Sequence, residues 1–134
     1  MSDSIFTKII KGEIPCHKVY EDEHTFVFMD IHPIQTGHVL VVTKSQVPTV
    51  WDLTDEDYAA LMSTCRKIAH KMHRVFPDKK RIGLMIEGLE VDHAHVKLFP
   101  IDTGDEFRAK PDMESEPDHP ALAELAKKLY IGEN

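Results

Sequence analysis

The chain has 134 residues, a formal net charge of −7 and 42% apolar residues. That length suits a single domain over residues 1–134 with a real core, and the ordinary apolar share argues against a disordered chain or a membrane protein. The negative balance argues against broad binding to nucleic acid or anionic lipid, and no apolar run approaches a membrane span.

The first residues lack the charged-then-apolar pattern of a secretory leader, so cytoplasmic residence is the expectation. Cys16 and Cys65 stand far apart, which suits reduced thiols and gives no disulfide framework. Residues 4–12 read as a short helix closed by Gly12, with Ile5, Phe6 and Ile9 on one face. Two strands follow at residues 17–21 and 25–31, joined by a turn around Asp22, Glu23 and His24. A polar connection over 33–37 leads to a third strand at 38–44, rich in β-branched residues.

Thr54 caps the one long helix, with Asp57 three residues on and acidic residues at the positive end of the helix dipole. Leu61, Cys65, Ile68 and Met72 recur along it at three- and four-residue steps, a stripe that buries against a sheet. His70 and His73 on the same helix read as surface residues without a role. Pro77 and Asp78 stop the helix, a strand runs over 81–86, and a loop spans 102–117. Leu122, Leu125, Ala126 and Leu129 then give a short amphipathic helix. The order predicts an α+β fold: an antiparallel sheet of about five strands, with one long helix and short terminal helices on one face.

From His93 the chain alternates strictly: His93, His95, Lys97 and Phe99 on one parity, Ala94, Val96 and Leu98 on the other. Such a pattern marks a strand ended by Pro100, with the apolar set facing a core and two imidazoles and an ammonium on the open side. A solvent-facing strand carries such residues for solubility alone. The functional alternative is a basic row for an anionic substrate, since a neutral imidazole is a nucleophile, proton shuttle and metal ligand near pH 7. Any phosphate would have to be captured locally, against the chain's overall negative field.

His93-Ala94-His95-Val96-Lys97-Leu98 resembles the motif of the histidine-triad (HIT) family, with Lys97 in the place of the third histidine. Further segments follow the order and spacing of the nucleotide-binding branch of that family: Phe6 to Pro15, Val19 to Asp22, Asp30-Ile31, Pro33, Gly37 to Val42 and Lys44. The resemblance implies a HIT-like fold, a homodimer joined sheet edge to sheet edge, and a purine nucleotide as substrate, without a cofactor. It also implies that His95 attacks an α-phosphorus and carries it covalently, oriented by a main-chain carbonyl near His93. His38 matches a fourth active-site histidine, and Asp30 the acid that binds the ribose hydroxyls. Ile5, Phe6, Ile9, Phe28 and Ile31 match the apolar slot around the base, where the alternative is plain core packing.

Departures from the family pattern qualify this transfer. Lys97 supplies charge but not the proton relay of a histidine, and Ile86, Leu89 and Glu90 stand where relatives place polar phosphate contacts. Ser4, Thr7 and Gln46 replace the cysteines and histidine of the zinc site found in some relatives, so no metal is expected there. Three readings result: a nucleotidyl hydrolase or transferase acting on phosphoramidates or dinucleoside polyphosphates, a nucleotide-binding module with little or no catalysis, and a metal site formed by His38, His93 and His95.

Overall fold

The structure is a computed structural model that describes residues 2–132. Its strands are β1 (Lys18–Glu21), β2 (Thr25–Met29), β3 (Val39–Thr43), β4 (Arg81–Met85) and β5 (His95–Ile101). They form one antiparallel sheet in the order β1-β2-β3-β5-β4. Four helices accompany it: α1 (Ile5–Ile10), α2 (Asp55–Val75), α3 (Gly104–Arg108) and α4 (His119–Leu129). This is the α+β arrangement that the sequence predicts.

The expected placement of the helices fails. The helices do not share a face. Val27, Met29, Val39, Val41, Val96 and Leu98 pack against Leu61, Ile68 and Met72 of α2 and Leu122 and Leu129 of α4. The opposite parity, Phe26, Phe28, Leu40 and Val42, packs against Phe6 and Ile9 of α1. Every residue of β2 and β3 is therefore buried. Their sequences say so physically: TFVFM and VLVVT are continuous apolar runs rather than alternating ones, the mark of a strand covered on both faces.

Capping fixes where the helices begin. The Ser4 hydroxyl accepts from the Thr7 amide at the start of α1, and Thr54 does the same for Asp57 at the start of α2. Gly12 follows α1 with φ 81°, a left-handed position that glycine takes without strain. Within the expected 102–117 loop, Thr103 caps the short helix α3. Nor does Pro100 end β5, for it pairs with Ile82 and the strand runs on to Ile101. Pairing with β3 stops at Leu98, so Pro100 sits where the strand has a neighbour on one side only, and proline is tolerated there.

Candidate active site

α1 covers the face on which the motif histidines lie, so the strand surface expected to be open is closed. His93 is 0% exposed and His95 5%. The edge of the Phe6 ring rests against both imidazoles, with centroid separations of 5.6 and 5.0 Å. The other parity behaves as expected, with Ala94, Val96 and Leu98 in the α2–α4 core.

The hydrogen bonds assign the tautomers. His93 Nε2 lies 2.6 Å from the Thr43 carbonyl, which only accepts, so Nε2 carries the proton. Its Nδ1, 2.6 Å from Ser4 Oγ, is then the acceptor of the Ser4 hydroxyl proton. Burial, and secondarily the neighbouring His95, hold the His93 pKa below the usual histidine value, against the opposing pull of the Thr43 carbonyl. His95 Nδ1 donates to the His93 carbonyl at 2.7 Å, so in the neutral ring Nε2 is the free lone pair. That is the state a nucleophilic imidazole needs.

His38 immediately precedes β3 and is 1% exposed. Its Nδ1 accepts from the Ile34 amide at 3.0 Å, so Nε2 carries the hydrogen, and that Nε2 finds no hydrogen-bond partner. Burial, with a smaller contribution from the Lys97 ammonium, pushes its pKa down to about 3. The Asp30 carboxylate stands 3.6 Å from Nε2. With His38 neutral this long contact is not an ion pair. Asp30 itself accepts from the His32 amide at 2.8 Å, and burial raises its pKa despite that bond. A buried donor and a carboxylate with a free oxygen thus face the same space, ready for groups that both donate and accept.

Lys97 is not free. Its ammonium sits 2.6 Å from Glu87 Oε1, with the side chain 14% exposed. Glu87 had no place among the residues that the sequence suggests for the site.

These groups surround a cavity of about 180 Å³. Of the candidates read from the sequence, Ile5, Phe6, Asp30, His38, His95 and Lys97 line it. Ile9 and Phe28 lie in the packed layer beneath Phe6, and His93 lies behind His95, held by its two ring bonds. Ile31 lines a separate cavity, beside Leu122 and Leu125 of α4. Sequence reasoning missed His32, Ile34, Leu40, Val91, Pro111 and Met113, which complete the wall together with Glu90, the acidic departure from the family pattern. Pro111 and Met113 come from the stretch between α3 and α4, and nothing in their composition signals a binding role. Three clefts elsewhere are larger, about 490, 590 and 280 Å³, but no histidine lines any of them.

The metal reading finds no support in this geometry. Both His93 nitrogens are engaged, and among the described residues no group of three His, Cys, Asp or Glu side chains is placed to hold an ion. Ser4, Thr7 and Gln46 instead bond one another through oxygen and amide groups.

The HIT domain family matches residues 11–104. The chain belongs to the HIT family. Bacillus subtilis protein hit is 38% identical over 113 residues, 78% of this chain and 76% of that protein. An adenosine 5'-monophosphoramidase of Schizosaccharomyces pombe is 33% identical over 100 residues, 72% of each. The crystal structure of a Hit-like protein from Bartonella henselae superposes with a TM-score of 0.82 at 30% identity, covering 95% of this chain and 93% of that one.

Proposed function

We propose that this HIT protein is a nucleotide hydrolase or transferase that cleaves at the α-phosphate of a nucleoside phosphoramidate or dinucleoside polyphosphate. His95 Nε2 attacks the phosphorus as the bond to the leaving group breaks, and the leaving group departs with that electron pair and takes up a proton. The imidazole, now bonded to phosphorus, keeps its Nδ1 proton on the His93 carbonyl. Water then displaces His95 from phosphorus, loses a proton, and releases the nucleoside monophosphate. The observation that carries this reading is the 2.7 Å bond from His95 Nδ1 to the His93 carbonyl, which fixes the nucleophilic tautomer in the wall of the cavity. The monophosphoramidase activity in the name of the Schizosaccharomyces pombe relative supports the same class of substrate.

Asp30 would accept from the ribose hydroxyls, His38 Nε2 would donate to a ribose or phosphate oxygen, Ile5 and Phe6 would hold the purine, and Lys97 the developing negative charge. A binding module with little turnover is the second reading, favoured by one contact: Glu87 already neutralises the ammonium that a phosphate would need. A second copy of the chain is the proposed partner. β4 forms one outer edge of the sheet, and Leu84 on it is 39% exposed.

Mixing the protein with adenosine 5'-phosphoramidate labelled at phosphorus, followed by quenching in alkali, tests the chemistry. A labelled, acid-labile phosphohistidine in the parent and none in His95→Ala is the expected result. Turnover in His95→Ala equal to the parent's removes His95 as nucleophile, and nucleotide binding without label or turnover leaves the module reading. His95 is buried against Phe6, so the variant should also lose about 1–3 kcal/mol of stability, and both proteins must be compared below their melting points.

A further inference from the structure

The orientation of His95 hangs on the His93 carbonyl, which lies just before the first paired residue of the β3–β5 ladder. The β3–β5 ladder begins with the pair Val42 and His95, so His93 lies outside it. Its amide makes only a tight bond back to the Val91 carbonyl. The peptide that carries the His93 carbonyl is tied at its far side, where the Ala94 amide donates to the Val47 carbonyl at 2.7 Å, and the His93 ring supplies the other ties, to the Thr43 carbonyl and to the Ser4 hydroxyl, each at 2.6 Å.

Ser4 is in turn held. Its amide donates to Gln46 Oε1 at 2.7 Å, and the Thr7 hydroxyl donates to the same oxygen at 2.6 Å. Gln46 Nε2 donates to the Ser2 carbonyl at 2.9 Å, which settles the direction of the amide. The Thr7 amide donates to Ser4 Oγ at 3.0 Å, so the Ser4 hydroxyl proton is left for His93. Thr7 Oγ1 lies farther from Ser4 Oγ, at 3.2 Å, than His93 Nδ1 does. The shortest contacts send the Ser4 proton to His93 and the Thr7 proton to Gln46, with Thr7 Oγ1 also 3.4 Å from His93 Nδ1, and a connected network of this kind holds its members rigidly.

The geometry points to Ser4 and Gln46 as positioning residues for the reaction: together they lock the tautomer and ring of His93, and through its carbonyl the attacking angle of His95. The inference rests on His95 as the nucleophile. It adds two residues that touch neither substrate nor phosphorus. Loss of the Ser4 hydroxyl leaves His93 Nδ1 with only the Thr7 hydroxyl, 3.4 Å away and already donated to Gln46 Oε1, and the imidazole then gains by rotating or changing tautomer. A shift of the carbonyl follows, and small misplacements of a reacting group are costly in rate.

Three variants and two readouts test this. With adenosine 5'-phosphoramidate, Ser4→Ala should lower kcat by about tenfold to a hundredfold while KM changes by less than about threefold. Ser4→Thr, which keeps the hydroxyl, should recover most of the loss, and Gln46→Ala should give an intermediate fall. Nitrogen-15 correlation spectra of the imidazoles should show His93 protonated at Nε2 in the parent, and a changed Nδ1 environment in Ser4→Ala. A kcat for Ser4→Ala within about twofold of the parent overturns the inference, as does an equal loss in Ser4→Ala and Ser4→Thr. A rise in KM at unchanged kcat also overturns it, because that outcome marks a displaced α1 rather than a misdirected nucleophile. If His95→Ala keeps full turnover, the nucleophile reading falls separately. The clamp is then judged on the spectra alone, where an unchanged His93 in Ser4→Ala overturns it and a shifted one upholds the lock on the ring.

Discussion

Burial of His38 with one nitrogen bonded and the other facing the cavity ties the stability of the fold to pH. An unfolded histidine titrates near 6.5, whereas His38 in the fold titrates at about 3 because burial and the Lys97 charge disfavour the imidazolium. The contribution is therefore complete above the unfolded value and is lost as pH falls, since the unfolded chain takes up a proton that the folded one refuses. Between pH 6.5 and 5 this amounts to about 2 kcal/mol for a single group. Asp30, the carboxylate facing His38, has its pKa raised, and its protonation offsets part of the loss at the acid end. Urea unfolding at pH 7 and pH 5 should accordingly show a steeper fall for the parent than for His38→Asn. Equal falls would mean that His38 accepts its proton inside the fold. Lys97 is the other residue with a testable charge. If it stabilises the transition state, Lys97→Met loses turnover by about a hundredfold, together with phosphate affinity, and more so at low salt where screening is weak. A site that has decayed behaves otherwise: Met changes nothing, and Lys97→His raises activity by restoring the family pattern. The Glu87 contact sharpens the comparison, since the phosphate has to compete with a carboxylate already 2.6 Å away.

At the scale of elements, legibility follows how local the causes are. The long helix α2 was readable because cap, acidic first turn and apolar stripe are all written within its own residues, and Leu61, Cys65, Ile68 and Met72 are buried as the stripe requires. Position α1 takes is not local. Its cap and terminating glycine predict a helix, but only the continuous apolar runs of β2 and β3 say that the second face of the sheet needs a cover. The alternation at His93 to Phe99 correctly gave Ala94, Val96 and Leu98 as the core parity, and it misled about the exposure of the histidines because their face meets Phe6 rather than water. Before β3, Gly37 makes the turn that delivers His38. Its φ is 96°, and a Cβ there would meet the Phe76 ring at 2.8 Å, so both backbone and packing ask for glycine. Helix α3 escaped notice since a single turn of helix capped by Thr103 has the composition of a loop.

On the scale of the whole molecule, the site draws on pieces that are distant in sequence. Ile5, Asp30, His38, His95, Lys97 and Met113 meet around one cavity, and only those carried by the motif resemblance were legible beforehand. The cavity holds about 180 Å³, below the roughly 300 Å³ of many small-molecule sites. The sheet's two outer edges also differ. Ile131 donates its amide to the Val19 carbonyl and so covers part of β1. Among the described residues, β4 pairs only with β5, and its other side presents a strand edge with Leu84 39% exposed. Trp51, 79% exposed, lies beside Ile86 and Gly88 just past the end of β4, which extends the apolar surface at that edge. An uncovered strand edge carrying apolar side chains invites pairing, and a two-fold contact there would join two sheets into one. Leu84→Lys places a charge on that edge in each copy, so like charges meet across the axis and the pairing is opposed from both sides. Sedimentation equilibrium should give about twice the chain mass of 15.3 kDa for the parent, and the single-chain mass for Leu84→Lys at the same concentration. A dimer that survives Leu84→Lys would place the interface elsewhere, and a parent monomeric at every concentration would remove the homodimer altogether.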